Sequence, residues 1–275
     1  MFFRRYWFLA VPVTVFLVVT FLWPLMSILA TTVYAPGKGL FLDQYARFFS
    51  DEFYRSIFWR TVRLGLVVTV VCILLGYPIS FYLSRLKERR KAILLALVVF
   101  PLLTNSVVRT YSWMVVLGRN GFVNSLLLWL RIVNDPIPIL YTPFAVTVGL
   151  IHLFLPLMIL SLTSAMENVD TSLIEAAQSL GASEMRAFAR VVVPLTLPGL
   201  VVGSVLVFTG STTAYVTPHM LGGSRVMTLA TLLYQKAMVV FDWTMATTVA
   251  AISVFITLVV IWAFNAISRR AGVRT

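Results

Sequence analysis

Cysteine, histidine and acid are scarce in this 275-residue chain. The one cysteine, Cys72, lies in an apolar run, which excludes a disulfide framework and a cysteine-built metal site. His152 has no second ligand one helical turn away, so no metal site is expected there. It reads instead as a packing histidine with a hydrogen-bond partner, and His219 as a solvated turn residue. No phosphate-cradling G-x-x-x-x-G-K-[ST] segment occurs, so the chain does not hydrolyse ATP by that route. Neither a nucleophile–base pair nor a ligand set can be placed at membrane depth, so no catalytic residue is expected and the chain does not read as an enzyme. No carboxylate sits deep in an apolar run, which argues against a transporter driven by an ion gradient. Solenoid repeats are absent as well.

What the chain does have is apolar length. It is 60% hydrophobic and 12% charged, with a mean hydropathy of +0.93. A water-soluble fold of this size could not bury so much apolar surface, so bilayer is the natural solvent. The formal charge of +12 comes from basic residues clustered beside the apolar runs. Membrane topology accounts for that placement better than nucleic-acid binding does.

Runs near the ~20 residues needed to cross the hydrocarbon core are read at 7–30, 62–82, 92–117, 142–166, 195–216 and 244–267. Helices are expected throughout, since open strands leave backbone groups unsatisfied in lipid. The prediction is an all-α polytopic membrane protein, one transmembrane domain over 1–275 with six spans. The first span is too long for a signal-peptide core and reads as a retained anchor. Arg85, Lys87, Arg89, Arg90 and Lys91 crowd one short loop, which the positive-inside rule places in the cytoplasm. Six spans then put both termini in the cytoplasm, with Arg4, Arg5, Arg269, Arg270 and Arg274. Thr31 to Arg60, with its Pro36-Gly37 turn, reads as an amphipathic stretch lying on the membrane surface. Segments 118–141 and 218–243 fall outside, each with a short helix.

The fourth loop, 167–194, is the long polar-containing insert of the second half. Ser172 stands three residues before Glu175, the spacing of a capping box. A short helix is expected from Leu173 to Leu180, ended by Gly181, and a second one capped by Ser183 and stopped by Pro194. Gly199 and Gly203, just beyond, have the small-xxx-small spacing that admits a close helix neighbour.

Within that insert, Glu175-Ala176-Ala177, three residues, Gly181, nine residues and Val191-x-Val193-Pro194 resemble the EAA loop of ABC-importer permeases. Valines replace the family's isoleucine and leucine and keep the apolar character. Thr104 to Leu127 and Leu221 to Leu233 are similar to permeases of the spermidine/putrescine group, a likeness covering most of the chain from Tyr77 onward. The resemblance implies the type I importer fold and a bacterial inner-membrane permease forming half of a translocation pathway. It further implies partners: ATPase subunits that bind ATP and Mg, a second permease and an external solute-binding protein. This chain itself would bind no cofactor. Glu175, Ala176, Ala177 and Gly181, with Ser172 and Pro194, would form the contact that couples ATP hydrolysis to transport. A polyamine is the implied solute; an amino acid, an opine or another organic amine stays open.

Candidate pathway residues are Asn105, Arg109, Tyr111, Trp113, Thr209, Thr212 and Tyr215. Arg109 either faces a cavity or snorkels to the outer interface, roughly 27 Å along a straight helix from Lys91. The aromatics either line a cavity or pack. Asp135 and Asp242 are external carboxylates that either meet a solute or cap a helix.

Overall fold

The computed structural model describes residues 11–35, 39–40 and 42–270. Arg4, Arg5, the start of the first expected span, the Pro36-Gly37 turn and Arg274 lie outside them. The architecture is helical. Its β structure, among the described residues, is one antiparallel pairing, Tyr34 with Leu40 and Ala35 with Gly39.

Among the described residues, four helices are long and apolar enough to cross a bilayer unaided: α1 (Val11–Val33), α3 (Glu52–Ser84), α7 (Pro143–Glu167) and α13 (Trp243–Arg270). Between α1 and α3 lies α2 (Asp43–Ser50). Two further sets of helices reach that length and apolarity only when taken together across a sharp bend. The first joins α4 (Glu88–Leu103) to α5 (Ser106–Leu117) and α6 (Phe122–Trp129), bent by 95°. In the second, α9 (Glu184–Leu195) turns by 68° into α10 (Leu197–Thr213). The loop helix α8 (Thr171–Ser179) and the short α11 (Val216–Gly222) and α12 (Leu229–Tyr234) complete the set.

Three expectations need correction. The second span starts ten residues early, because Glu52–Arg60 continues α3 instead of lying flat on the surface. Only α2 is left as a separate amphipathic piece. The third span is not continuous over 92–117. Pro101 cannot donate to the preceding turn, Thr104 is extended, and Asn105 restarts a helix by accepting from the amides of Val107 and Val108. Arg109 donates to the carbonyls of Pro101 and Thr104, so a cation satisfies the end of α4. The fifth span ends at Thr213 rather than 216, and His219 belongs to α11, exposed and stacked on Tyr215 at 5.0 Å.

The chain divides into two compact units: Met1–Ser56 with Leu232–Phe255, and Ile57–Thr231 with Ile256–Thr275. In the smaller, Phe48 stacks on Tyr54 and is wholly buried, and Thr32 shares a hydrogen bond with Tyr45. In the larger, Val68 and Cys72 of α3, Leu150, Met158 and Leu162 of α7, Val207 of α10 and Leu221 of α11 form one apolar core. Its tightest seam joins α7 and α10. A Cβ on Gly199 would lie 2.3 Å from the Ala165 Cβ, and one on Gly203 would lie 2.8 Å from the Met158 sulfur. Ser161 donates across the seam to the Gly199 carbonyl at 2.7 Å. Close backbone approach, as the glycine spacing suggests, is what the seam is built on.

Candidate functional site

The insert between α7 and α10 folds into a two-helix elbow. Its first cap is Asp170, not Ser172: the Asp170 carboxylate accepts from the Ser172 amide at 2.9 Å, and Ser172 lies inside α8. That hydrogen bond holds the Asp170 carboxyl below the usual aspartate range. The capping-box reading erred because Asp170, two residues upstream, offers a charged acceptor to the same orphan amides. At the far end Gly181 has φ +87°, its amide bonds the Gln178 carbonyl and the Ala182 amide bonds Ala177. This is the paired closure of a left-handed helix cap. One residue, Ala182, then separates it from Ser183, whose hydroxyl accepts from the Arg186 amide. The joint between α8 and α9 is thus short, and backbone hydrogen bonds close the helix end that enters it and open the one that leaves it.

Pro194 does not stop the second helix. A wide π turn over Phe188–Val192 precedes it, and the helix runs on through Pro194 to Leu195. The break comes at Thr196, whose hydroxyl bonds back to the Val192 carbonyl at 2.9 Å.

An anchor that sequence reading missed holds the elbow against α3. Phe188 stands edge-on to Phe81 at 4.9 Å and to Tyr77 at 6.0 Å, and the Tyr77 hydroxyl shares a hydrogen bond with Thr196 at 3.0 Å. Arg85 lies over the Phe81 ring at 3.8 Å and 3.5 Å from Glu184. Both charges of that pair are largely solvated, so the aromatic contacts dominate. Tyr77, Phe81, Glu184 and Phe188, with Pro78, Ser183 and Met185, line a cavity of about 590 Å³. Nearby, Lys91 bridges Glu88 and Glu167, tying α4 to the end of α7. The missed signal was Phe188, an aromatic in an otherwise polar and small-residue run.

The outer side of the elbow is bare. Glu175, Ala176 and Gly181 are exposed, Ala177 is half-buried, and Leu180 and Met185 are 90% and 76% exposed. Nothing lies within 4 Å of a Cβ on Gly181. Leu180 projects from this corner and Met185, which also lines the cavity beside α3, is exposed next to it, a pair of apolar side chains that suits a contact.

The pathway candidates are divided by the structure. Asn105 caps α5, Arg109 is buried against the end of α4, and the Thr212 hydroxyl bonds the Phe208 carbonyl within α10. Trp113 donates to His152 at 3.2 Å, joining α5 to α7, so His152 has the partner expected of it. Thr110 and Thr217 bring α5 beside α11, with hydroxyls 3.4 Å apart. Tyr111 is exposed, while Thr209 and Tyr215 are half-buried. Asp242 caps α13 through the Met245 amide. Among the described residues no group of three or more His, Cys, Asp or Glu is placed to hold a metal ion.

Comparison with known proteins follows the same lines. The chain is 36% identical over 218 residues to the Spermidine/putrescine transport system permease protein PotB of Salmonella typhimurium (strain LT2), covering 79% of this chain and 75% of that protein. It is 34% identical to the Escherichia coli K12 protein of that name, covering 79% and 78%. A Putative 2-aminoethylphosphonate transport system permease protein PhnU of Salmonella typhimurium is 27% identical, covering 93% and 90%. Among solved structures, a bacterial ABC transporter that imports alginate shares the fold, with TM-score 0.73, 17% identity and coverage of 97% and 96%. The MetNI methionine ABC transporter does so at TM-score 0.59, with 21% identity and coverage of 82% and 100%. The family model for the binding-protein-dependent transport system inner membrane component matches residues 73–273, and the chain therefore belongs to that family, as a multi-pass inner-membrane permease subunit of an ABC importer and not an enzyme.

Proposed function

We propose that this chain forms half of the translocation pathway for a polyamine such as spermidine or putrescine, acting as one membrane domain over all 275 residues. The observation that carries the substrate is the identity of over a third, across most of the chain, to a spermidine/putrescine permease. The coupling role rests on the elbow. A separate ATPase, which binds ATP and Mg, grips Glu175, Ala176, Ala177, Leu180, Gly181 and Met185. Movement of that grip passes through α9 and Phe188 to α3, because the elbow is stiff and anchored. A second permease completes the pathway and an external binding protein delivers the solute. On this reading the elbow, the basic loop and both termini face the cytoplasm.

Tyr111, Trp113, Thr209 and Tyr215 are the pathway residues proposed to meet the solute, their aromatic faces suiting an ammonium ion. Asn105, Arg109 and Thr212 would act at one remove, by holding helix ends. With no carboxylate deep in a span, solute choice rests chiefly with the binding protein. The PhnU relative favours a second reading, in which the solute is another small organic amine.

Reconstitution of the chain with its ATPase, second permease and binding protein, followed by uptake of labelled spermidine, tests the reading. ATP-dependent uptake that unlabelled putrescine competes away supports it. Uptake competed only by 2-aminoethylphosphonate selects the second reading, and uptake without the ATPase overturns both.

A further inference from the structure

Pro78, Ile79, Tyr82 and Leu83 of α3 and Leu94, Leu97 and Val98 of α4 enclose a second cleft of about 540 Å³. Its wall is apolar but for the Tyr82 hydroxyl. Both helices belong to membrane crossings, and Tyr82 and Leu97 are 62% and 66% exposed. The cleft is therefore open on its outer side, on helices whose composition suits hydrocarbon. It lies near the tight turn, Arg85 to Lys87, that joins the two helices.

That turn carries the densest positive charge of the chain, and its charges are not equivalent. Arg85 is engaged by Glu184 and the Phe81 ring, and Lys91 by Glu88 and Glu167. Lys87, Arg89 and Arg90 are exposed. Lys87 is also the N-cap of α4 and supplies no side-chain acceptor; the Arg90 amide bonds the Lys87 carbonyl, the amides of Glu88 and Arg89 are left for another partner, and the one first-turn carboxylate, Glu88, is paired with Lys91. Leu94 stands only about 9 Å along the helix from Glu88 at the usual rise per residue. An apolar slot thus begins within one headgroup's reach of an uncapped, basic helix start.

We propose that this cleft is a binding site for an anionic phospholipid. One acyl chain lies in the slot between α3 and α4, and the phosphate sits at the start of α4 against Lys87, Arg89 and Arg90. Charge complementarity selects an anionic headgroup over a zwitterionic one, at about fivefold per basic side chain near the surface. Position gives the site a consequence. Pro78 borders both this slot and the cavity under the elbow, so a chain in the slot braces the segment of α3 that anchors Phe188.

The test is native mass spectrometry of the full chain, with the subunits that co-purify, after exchange into detergent containing equal phosphatidylglycerol and phosphatidylcholine. The wild type should retain phosphatidylglycerol selectively. Lys87→Gln with Arg90→Gln, which leaves Arg85, Arg89 and Lys91 to keep the loop basic, should cut that selectivity by about 25-fold. Leu97→Trp, which fills the slot without touching charge, should lower retention of phosphatidylglycerol with the complex still intact. Equal retention of the two lipids by the wild type overturns the proposal. So does selectivity that survives the double variant, or retention unaffected by Leu97→Trp.

Discussion

Gly181 shows how one residue can serve two demands. Its φ of +87° closes α8 in a conformation that costs a side-chain-bearing residue about 1–2 kcal/mol, while the space around it is open. Gly181→Ala should therefore strain the joint slightly without a clash inside the chain, whereas Gly181→Asp adds a charge on the face proposed to meet the ATPase. Membrane insertion is expected to be normal in both. Transport should fall modestly in the first and be lost in the second, with ATPase activity no longer stimulated by loaded binding protein. Asp170 makes the complementary case at the other end of α8. Its folded carboxyl titrates below the ordinary value, because the ionised form accepts from the Ser172 amide. The stability it lends is thus present above the unfolded aspartate pKa, about 3.9, and lost as pH falls through the lower folded value. Amide exchange in α8, corrected for the intrinsic rate, should accelerate in that acid window, and Asp170→Asn should remove the step.

The elements carry a sharper test, because two of them meet with no room to spare. The seam of α7 and α10 places Gly199 against Ala165, so Gly199→Val should push the helices apart and reduce folded protein severely. Ala165→Gly alone should cost little, and the pair together should recover part of the loss, since neighbouring substitutions couple. Recovery, measured as protein accumulated in the membrane, should be partial because the Ser161 carbonyl still stands 2.8 Å from the added Cβ, and absence of any recovery would show that the Ala165 contact is not the limiting one. The anchor of the elbow is softer. Phe188 is half-buried between Tyr77 and Phe81, and Phe188→Ala should cost about 2 kcal/mol of that contact. ATP hydrolysis should continue in this variant with uptake reduced, since the grip remains while its transmission loosens.

Across the molecule, what could be read from sequence was what repeats or punctuates. Six apolar runs, the Gly181 stop, the Ser183 cap and the Gly199-Gly203 spacing are each local signals, and each corresponds to an element or contact. The misreadings arose where a longer-range partner decided the outcome. Pro101 lies inside the run 92–117, read as one span, but Asn105 and Arg109 rebuild the helix ends and make a 95° corner there. Pro194 looked like a stop, and a π turn carries the helix past it. The Phe188 anchor could not be found by pattern, because Tyr77 and Phe81 lie more than a hundred residues away in the chain.

Sidedness is the property of the whole molecule on which the coupling reading stands, and the scarcity of cysteine makes it directly measurable. Cys72 is fully buried, so a membrane-impermeant maleimide should leave the parent chain unlabelled. Ser179→Cys places a thiol on the exposed face of the elbow, and Asn120→Cys places one in the loop between α5 and α6. In intact spheroplasts the second should label and the first should not. In inside-out vesicles the pattern should reverse. Labelling of Ser179→Cys from the outside would put the elbow out of reach of any nucleotide-driven partner, and the basic loop at Arg85 to Lys91 would then contradict its own charge bias.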